Sequence, residues 1–437
     1  MTRILNVFLY DQKVGKLSED NVGYLEFQYA NDAKWPISVR MPVRQRKYDR
    51  RYAEPFFDNL TPEGDALKLI ADKFHISNTN IFSVLDKIGG ECAGAISLYP
   101  DDIPPSDEDL LEITDDKLVK IIDELPQNPL LTGIEGAPRL SLAGAQSKFA
   151  VVTGADGRYY CSTHTKPTTH IIKIANKYYP ELLNNELFCM KLAARVLSGE
   201  GAVPVELHET HGRKYLEIER YDRQEIKEPE NGKWTKANHE NMTFAYPVHI
   251  ERVHQEDFCQ VLGCLERRKY QKDRGPGIRD IYGAIMQYST HPANDAYRFI
   301  ELVMFNYLIG NTDAHAKNFS ILHKNHGENI VLAPAYDLIS VEAYPESKVS
   351  HEIAMFINGK GKYDAVTKKC WLALYEQLGL NPARTLQEMK AKFGKVLDAA
   401  KSLRDELNAD DLTKSEIYDK ILTVIEKRYA AIITDRD

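Results

Sequence analysis

At 437 residues, with 43% hydrophobic and 27% charged positions, the chain has ordinary globular composition and the length of about two or three domains. No run approaches the roughly 18 apolar residues of a membrane span. The net charge of −8 speaks against the whole chain being an autonomous nucleic-acid binder, because phosphate contact needs concentrated Lys and Arg.

Residues 1–105 read as a β-rich subdomain. Ile4 to Tyr10 is apolar, Asp11-Gln12-Lys13 reads as a turn, a second run surrounds Val14 to Leu17, and Tyr24 to Tyr29 alternates with period two. The Ile4–Tyr10 stretch ends at Asp11, too short and too polar for a signal peptide, so export is not expected. Phe56 to Leu60 reads as a buried anchor before a helix with Thr61 as N-cap, Pro62 at its first position, and Leu67, Leu69 and Ile70 along it. A further helix is predicted over Ile81–Ile88, then a break at Gly89-Gly90 and a strand over Ala95–Tyr99.

The acidic, proline-rich run from Pro100 to Asp109 is a linker candidate. Within 106–138, Thr114 precedes Leu118, Ile121, Ile122 and Leu125 at helical spacing, as a capped amphipathic helix should. Residues 139–223 read as a small lobe: a small-residue loop, a strand ending on Lys173, a helix from about 185 to 197 that carries Glu186, and strands near Val205 and over Leu216–Glu219. Residues 224–242 are polar and read as a surface insertion. The remainder of 224–437 is predicted to be mostly helical, including Phe258–Leu262, Ala296–Ile309 and the tail from 383 to 433.

The chemistry concentrates between about 300 and 345. Asp313 is followed five positions later by Asn318, the spacing of a phosphoryl-transfer loop in which one side chain orients the nucleophile and the other holds a metal. Asp337, after Leu332-Ala333-Pro334-Ala335-Tyr336, reads as an acid at the end of a short strand and as the second metal ligand. Taken alone, such Asp and Asn residues are as often plain loop caps. Upstream, Thr169–Ile174 is a β-branched strand whose Lys173 suits nucleotide phosphates. Ala143, Gly144, Ala145, Gln146, Ser147 and Lys148 pack small residues into one turn, where backbone N–H groups can approach phosphate oxygens and Lys148 adds a point charge. The loop is no Walker A motif, because Ser147 stands where glycine is required and a strand follows.

Small-residue loop, strand lysine, helical Glu186, Asp-x-x-x-x-Asn and a later Asp occur in protein-kinase order. With Phe56–Leu60, Leu142–Gln146, Pro167–Lys173, Glu219-Arg220-Tyr221-Asp222-Arg223 and Thr312–Ser320, the chain resembles the HipA family of serine/threonine kinase toxins, nearly end to end. The resemblance implies an α+β, two-lobed protein-kinase-like fold with an N-terminal β-rich subdomain and a mostly helical C-terminal lobe. It implies ATP and Mg2+ as cofactors, Asp313 as the base, and Asn318 and Asp337 as metal ligands. Glu219, Arg220 and Tyr221 would form the hinge whose backbone meets adenine, His315 and Lys317 would lie near the nucleotide, and Ser141 would be the autophosphorylated serine. Implied partners are a HipB-like helix-turn-helix antitoxin, operator DNA through that antitoxin, and an aminoacyl-tRNA synthetase, glutamyl-tRNA synthetase above all, as protein substrate; no membrane partner is expected.

The implied location is the cytoplasm, or the nucleoid within the antitoxin–DNA complex. Six cysteines, Cys92, Cys161, Cys189, Cys259, Cys264 and Cys370, without Cys-x-x-Cys pairs suit a reducing compartment. Gly359-Lys360-Gly361-Lys362 with Lys368-Lys369 is the basic stretch nominated for DNA backbone contact, a solvated loop being the plainer reading. Two features depart from common kinases: Thr312 stands for the arginine before the catalytic Asp, and Leu338-Ile339 for Phe-Gly after the metal-binding one. Rival readings are a lipid-kinase-like phosphotransferase, through Asp313-x-His315-x-x-Asn318, and a silent pseudokinase that acts as a co-repressor.

Overall fold

The computed structural model describes residues 2–101, 110–132, 139–144, 146–154, 157–162, 167–175, 178–179, 181–225 and 250–432. The core of the expected linker (102–109), Ala145 and residues 226–242 of the polar insertion lie outside them. The chain divides into two compact units, one of residues 1–174, 209–256 and 322–328, the other of 175–208, 257–321 and 329–437.

In the first unit, β1 (Arg3–Leu9), β2 (Gln12–Glu19), β3 (Leu25–Tyr29), β4 (Lys47–Tyr48) and β5 (Ile96–Tyr99) form an antiparallel sheet in the order β4-β3-β2-β1-β5. The β1–β2 turn is made by Tyr10 and Asp11, at φ 52° and 60°, one residue earlier than the sequence suggested. Two left-handed residues match the twist of the flanking strands. The inner face of this sheet buries Leu5, Val7, Leu17, Phe27 and Leu98 with Phe56 and Phe57. The two phenylalanines sit on α1 (Arg50–Asp58), capped by Asp49, which accepts from Arg51 N at 3.0 Å. The helix α2 (Gly64–Phe74) does not use Thr61 as its cap: the Thr61 hydroxyl donates to Asp58 O at 2.7 Å and is buried, and Glu63 is the N-cap. Ile70 points into the core while Leu69 is exposed. Helix α3 (Ile81–Ile88) has the predicted bounds, and α4 (Asp115–Glu124) is capped by Thr114.

A second sheet contains β6 (Leu111–Ile113), β7 (Lys148–Thr153), β8 (Tyr159–Cys161), β9 (His170–Ile174), β10 (Val205–Thr210) and β11 (Arg213–Glu219), in the order β10-β11-β9-β7-β8-β6. The β7–β9 register sets Lys148 opposite Lys173. Since cross-strand partners point to one face, the sheet brings the two predicted phosphate lysines side by side.

The second unit is mostly helical: α5 (Leu182–Val196), α6 (Phe258–Leu262), α7 (Ile278–Tyr288), α8 (Pro292–Ile309), α9 (Lys368–Gln377), α10 (Pro382–Phe393), α11 (Val396–Asn408) and α12 (Ile417–Ile432). The central α8 is buried along almost its whole length from Phe299 on. Each such apolar side chain contributes about 1.5–3 kcal/mol relative to exposure, so the helix is a firm base for the Asp313 loop at its C-terminal end. It stops at Gly310, φ 69°, where a Cβ would lie 2.7 Å from Val424 and 2.8 Å from Glu342, so only glycine turns here. Among the described residues no helix is long and apolar enough to cross a membrane.

Candidate active site

In the helical unit, the turn after α8 is built by buried amides. Asn311 Nδ2 donates to Asn306 Oδ1 at 2.8 Å, while Asn311 Oδ1 accepts from Asp313 N at 3.1 Å, an Asx-type turn that fixes the backbone of Asp313. The Asp313 carbonyl then accepts from His315 N at 2.8 Å and from Asn318 Nδ2 at 3.0 Å. The five-residue spacing read in the sequence is thus a closed loop, with Ala316–Asn318 as its 3-10 turn. Asp313 and Asn318 are half-buried, whereas His315 and Lys317 are buried. The Lys317 carbonyl accepts from Tyr336 OH at 2.8 Å, and this hydroxyl lies 2.6 Å from Ser320 Oγ.

Asp337 does not end a strand. The strand Asn329–Leu332 stops earlier, since Pro334 has no N–H for a ladder, and Ala335 bridges to Ala202 instead. Asp337 is exposed in a left-handed turn, φ 56°. The segment after it is pinned by Asn185 of α5, which donates to Ser340 O at 2.9 Å and accepts from Ser340 N at 2.7 Å. Its neighbour Glu186 is fully buried in the second turn of α5, since the helix starts earlier than the sequence suggested.

In the sheet-rich unit, Leu140 bridges to Glu91, and Ser141 N donates to Glu91 O at 2.8 Å. The Ser141 hydroxyl is buried and donates to Leu60 O at 2.6 Å. Beyond it, Lys148 Nζ donates to Ala143 O. Gly144, φ 100°, allows this: a Cβ would lie 2.7 Å from that Nζ. Gln146 Nε2 donates to Ile174 O at 3.2 Å, and Ile174 N to Ser147 O at 3.3 Å, so the end of the loop is stitched to the strand of the buried Lys173.

The expected hinge divides its labour. Glu219 is exposed and Tyr221 half-buried, its hydroxyl bonded to Gln255. Arg220 is spoken for: its N–H donates to Thr169 O at 2.9 Å, and its guanidinium bonds Asp222 at 2.7 and 2.9 Å, Glu91 at 3.0 Å and Thr168 Oγ1 at 2.8 Å. Arg223 donates to Glu91 at 2.7 Å and to Thr168 O at 2.8 Å. Burial would raise the Glu91 carboxyl, but Arg223 and Arg220 hold it down to about 2. Asp222 is likewise held below the usual carboxylate range by Arg220 and Arg223 against its burial. This buried cluster escaped sequence reading, although Arg220, Asp222 and Arg223 lie within the Glu219–Arg223 block.

The chain is similar to known proteins. The HipA N-terminal domain model matches residues 5–99, and the HipA-like C-terminal domain model matches 140–402. The Sinorhizobium fredii protein named "Putative kinase Y4mE" is 35% identical over 389 residues, 86% of each chain. The chain belongs to the HipA family. The Shewanella oneidensis protein named serine/threonine-protein kinase toxin HipA is 27% identical over 390 residues, covering 82% of this chain and 84% of that one. A solved Shewanella oneidensis complex of HipA, HipB and operator DNA matches with a TM-score of 0.80 at 23% identity, over 98% of this chain and 97% of that chain. The α+β, two-lobed kinase-like fold expected from the sequence is therefore the fold of this HipA-family chain.

Magnesium takes hard oxygen ligands and is held at nucleotide sites by one or two side chains plus phosphates. Asn318, whose Nδ2 is committed to Asp313 O, offers its Oδ1, and Asp337 offers an exposed carboxylate. This donor set fits the metal. Tyr270, which donates to Asp313 Oδ1 at 2.7 Å, was not found by sequence reading, because it lies 43 residues away in a polar loop with no periodic signal. The nominated basic stretch forms a tight turn between Ile357 and Lys360, and Lys362 pairs with exposed Glu346 at 2.6 Å.

Proposed function

We propose that this chain is an ATP- and Mg-dependent serine/threonine protein kinase that acts as the toxin of a HipBA-type toxin–antitoxin module. The observation that carries this reading is the closed Asp313–Asn318 loop, in which the carboxamide nitrogen is spent on the Asp313 carbonyl so that a carboxylate and a carboxamide oxygen remain for acceptor and metal. Asp313 orients the acceptor hydroxyl and takes its proton; Asn318 and Asp337 would hold magnesium, which would supply charge neutralisation for the transferred phosphoryl group. Lys148 and Lys173, opposite one another on β7 and β9, are a cationic pair suited to nucleotide phosphates. In the sheet-rich unit, backbone N–H groups of Ala143, Gly144, Gln146 and Ser147 add donors and the Glu219–Tyr221 hinge serves the adenine; in the helical unit, His315 and Lys317 serve the nucleotide. The Arg220 guanidinium is spent on the buried cluster, so Arg220 contributes by fixing the hinge backbone rather than by reaching the nucleotide.

Kinase naming of relatives, and the HipB and operator DNA in the solved relative, support a helix-turn-helix antitoxin and its operator as partners. The protein substrate in this reading is an aminoacyl-tRNA synthetase, whose phosphorylation halts translation in the cytoplasm. Ser141 is the autophosphorylation site, and its buried hydroxyl must leave Leu60 to receive a phosphate. The reading is tested by a phosphoproteome after brief expression of wild type against Asp313→Ala. A phosphosite on a translation component only in the wild type supports it, and identical phosphoproteomes refute it.

A further inference from the structure

The carboxylate at the centre of the helical unit has a hydroxyl partner. Tyr270 OH donates to Asp313 Oδ1 at 2.7 Å, and the ring stands edge-on to His315, centroids 5.2 Å apart at 85°. A loop residue could make this contact by chance, but the loop here is braced. Gln271 N donates to Ala354 O at 2.9 Å, and Phe356 N donates to Gln271 Oε1 at 2.6 Å. Ala354 N in turn donates to Thr312 O at 2.9 Å, and Thr312 Oγ1 donates to Ser350 O at 3.1 Å.

The segment 350–356 is therefore a strap hydrogen-bonded on one side to the residue before Asp313 and on the other to the residue after Tyr270. The Tyr270 turn itself closes through Gly275 N to Tyr270 O at 2.9 Å, and a Cβ at Gly275 would collide with Arg268 O at 1.9 Å. Tyrosine and aspartate are thus held in register by backbone on both sides, and a side-chain bond joins them.

We infer that Tyr270 is a positioning residue for phosphoryl transfer. By occupying Oδ1 it fixes the Asp313 carboxylate about its side-chain torsions and leaves Oδ2 as the oxygen that receives the acceptor hydroxyl. The inference rests on the kinase reading of the Asp313 loop.

The test is Tyr270→Phe, which keeps the ring against His315 and removes only the hydroxyl. Initial rates of ADP release and of phosphate transfer from Mg-ATP to dephosphorylated casein are measured for the full chain, with thermal melting alongside. The expected result is a kcat about tenfold lower, the size of one lost hydrogen bond to a charged group, with KM for ATP and the melting temperature unchanged. In the Asp313→Ala background the same change should have no further effect, because residues acting as one unit are non-additive. An unchanged or raised kcat in an active enzyme overturns the inference alone, as does a loss that persists without Asp313. A lowered melting temperature with a proportionate loss in both backgrounds assigns Tyr270 to stability and overturns it too. Absence of wild-type turnover overturns the kinase reading, and the inference with it.

Discussion

Replacing Glu91 by alanine should destabilise the sheet-rich unit severely. Glu91 Oε1 accepts from Arg220 at 3.0 Å, Arg223 at 2.7 Å, and Thr168 N and Oγ1 at 3.2 and 2.7 Å, with the carboxylate and both guanidinium groups almost wholly buried. Its removal leaves two buried cations facing Asp222 alone. Breaking a buried pair from one side costs about 3–5 kcal/mol. An independent route gives a similar figure: a carboxyl held at about 2 against its ordinary 4.5 is worth about 3 kcal/mol at neutral pH, at about 1.4 kcal/mol per pH unit. At about 2–4 °C per kcal/mol, the melting midpoint at pH 7 should fall by about 10 °C, read by circular dichroism or calorimetry. The sign with pH follows from the depressed value. The stabilisation is complete above 4.5, the unfolded value, and is lost as pH falls towards about 2, so wild type and mutant should converge over that window. A midpoint within about 2 °C of wild type at pH 7, or a gap that widens on acidification, would refute this role for Glu91.

Ser141→Ala should cost about 1 kcal/mol, because Leu60 O is left without its buried donor. Phosphorylation of Ser141 should abolish nucleotide binding, since a group carrying about −1.5 to −2 charges cannot remain where the hydroxyl is buried and must pull the loop outward; mass spectrometry after Mg-ATP incubation, with calorimetric ATP titration of the modified form, checks both parts. Reversing Lys360 and Lys362 to Glu should weaken operator affinity of the antitoxin complex and flatten its salt dependence, the slope falling by about one for each phosphate no longer neutralised; unchanged affinity and slope in a filter-binding series would remove the patch from DNA contact. Asp337→Asn, which tolerates the left-handed φ of 56°, should lower phosphoryl transfer at least about 100-fold with an unchanged melting midpoint, and near wild-type kinetics would take the metal role from this carboxylate.

The legible parts of this fold are those set by local rules. Ile81–Ile88, Phe258–Leu262 and the Thr114-capped helix announce themselves through periodicity and capping, and the Asp313–Asn318 loop through the spacing its own hydrogen bonds impose. The parts that stayed hidden depend on distant partners or on local rules that tertiary packing overrides. Phe56 and Phe57, read in the sequence as an anchor before a helix, lie on α1 itself, a helix that tertiary packing holds although Pro55, which supplies no N–H, lies inside it. Thr61 has the chemistry of a cap, but its hydroxyl finds Asp58 O first. Arg220 reaches Glu91 across 129 positions, and Tyr270 reaches Asp313 across 43, distances over which spacing carries no signal. The Glu219–Arg223 block was therefore visible as a motif while its work, a buried ion cluster that ties Glu91 and Ser141 to the strand of Lys173, was not.

The central claim is that Asp313 serves phosphoryl transfer. Purified chain incubated with magnesium and γ-labelled ATP, beside Asp313→Ala, tests it most directly. Magnesium-dependent transfer of label to protein by the wild type, reduced about 10²–10⁴-fold in the mutant with nucleotide affinity and melting midpoint retained, is the predicted result. Equal labelling by the two proteins, or none by a folded wild type that binds ATP, would contradict it.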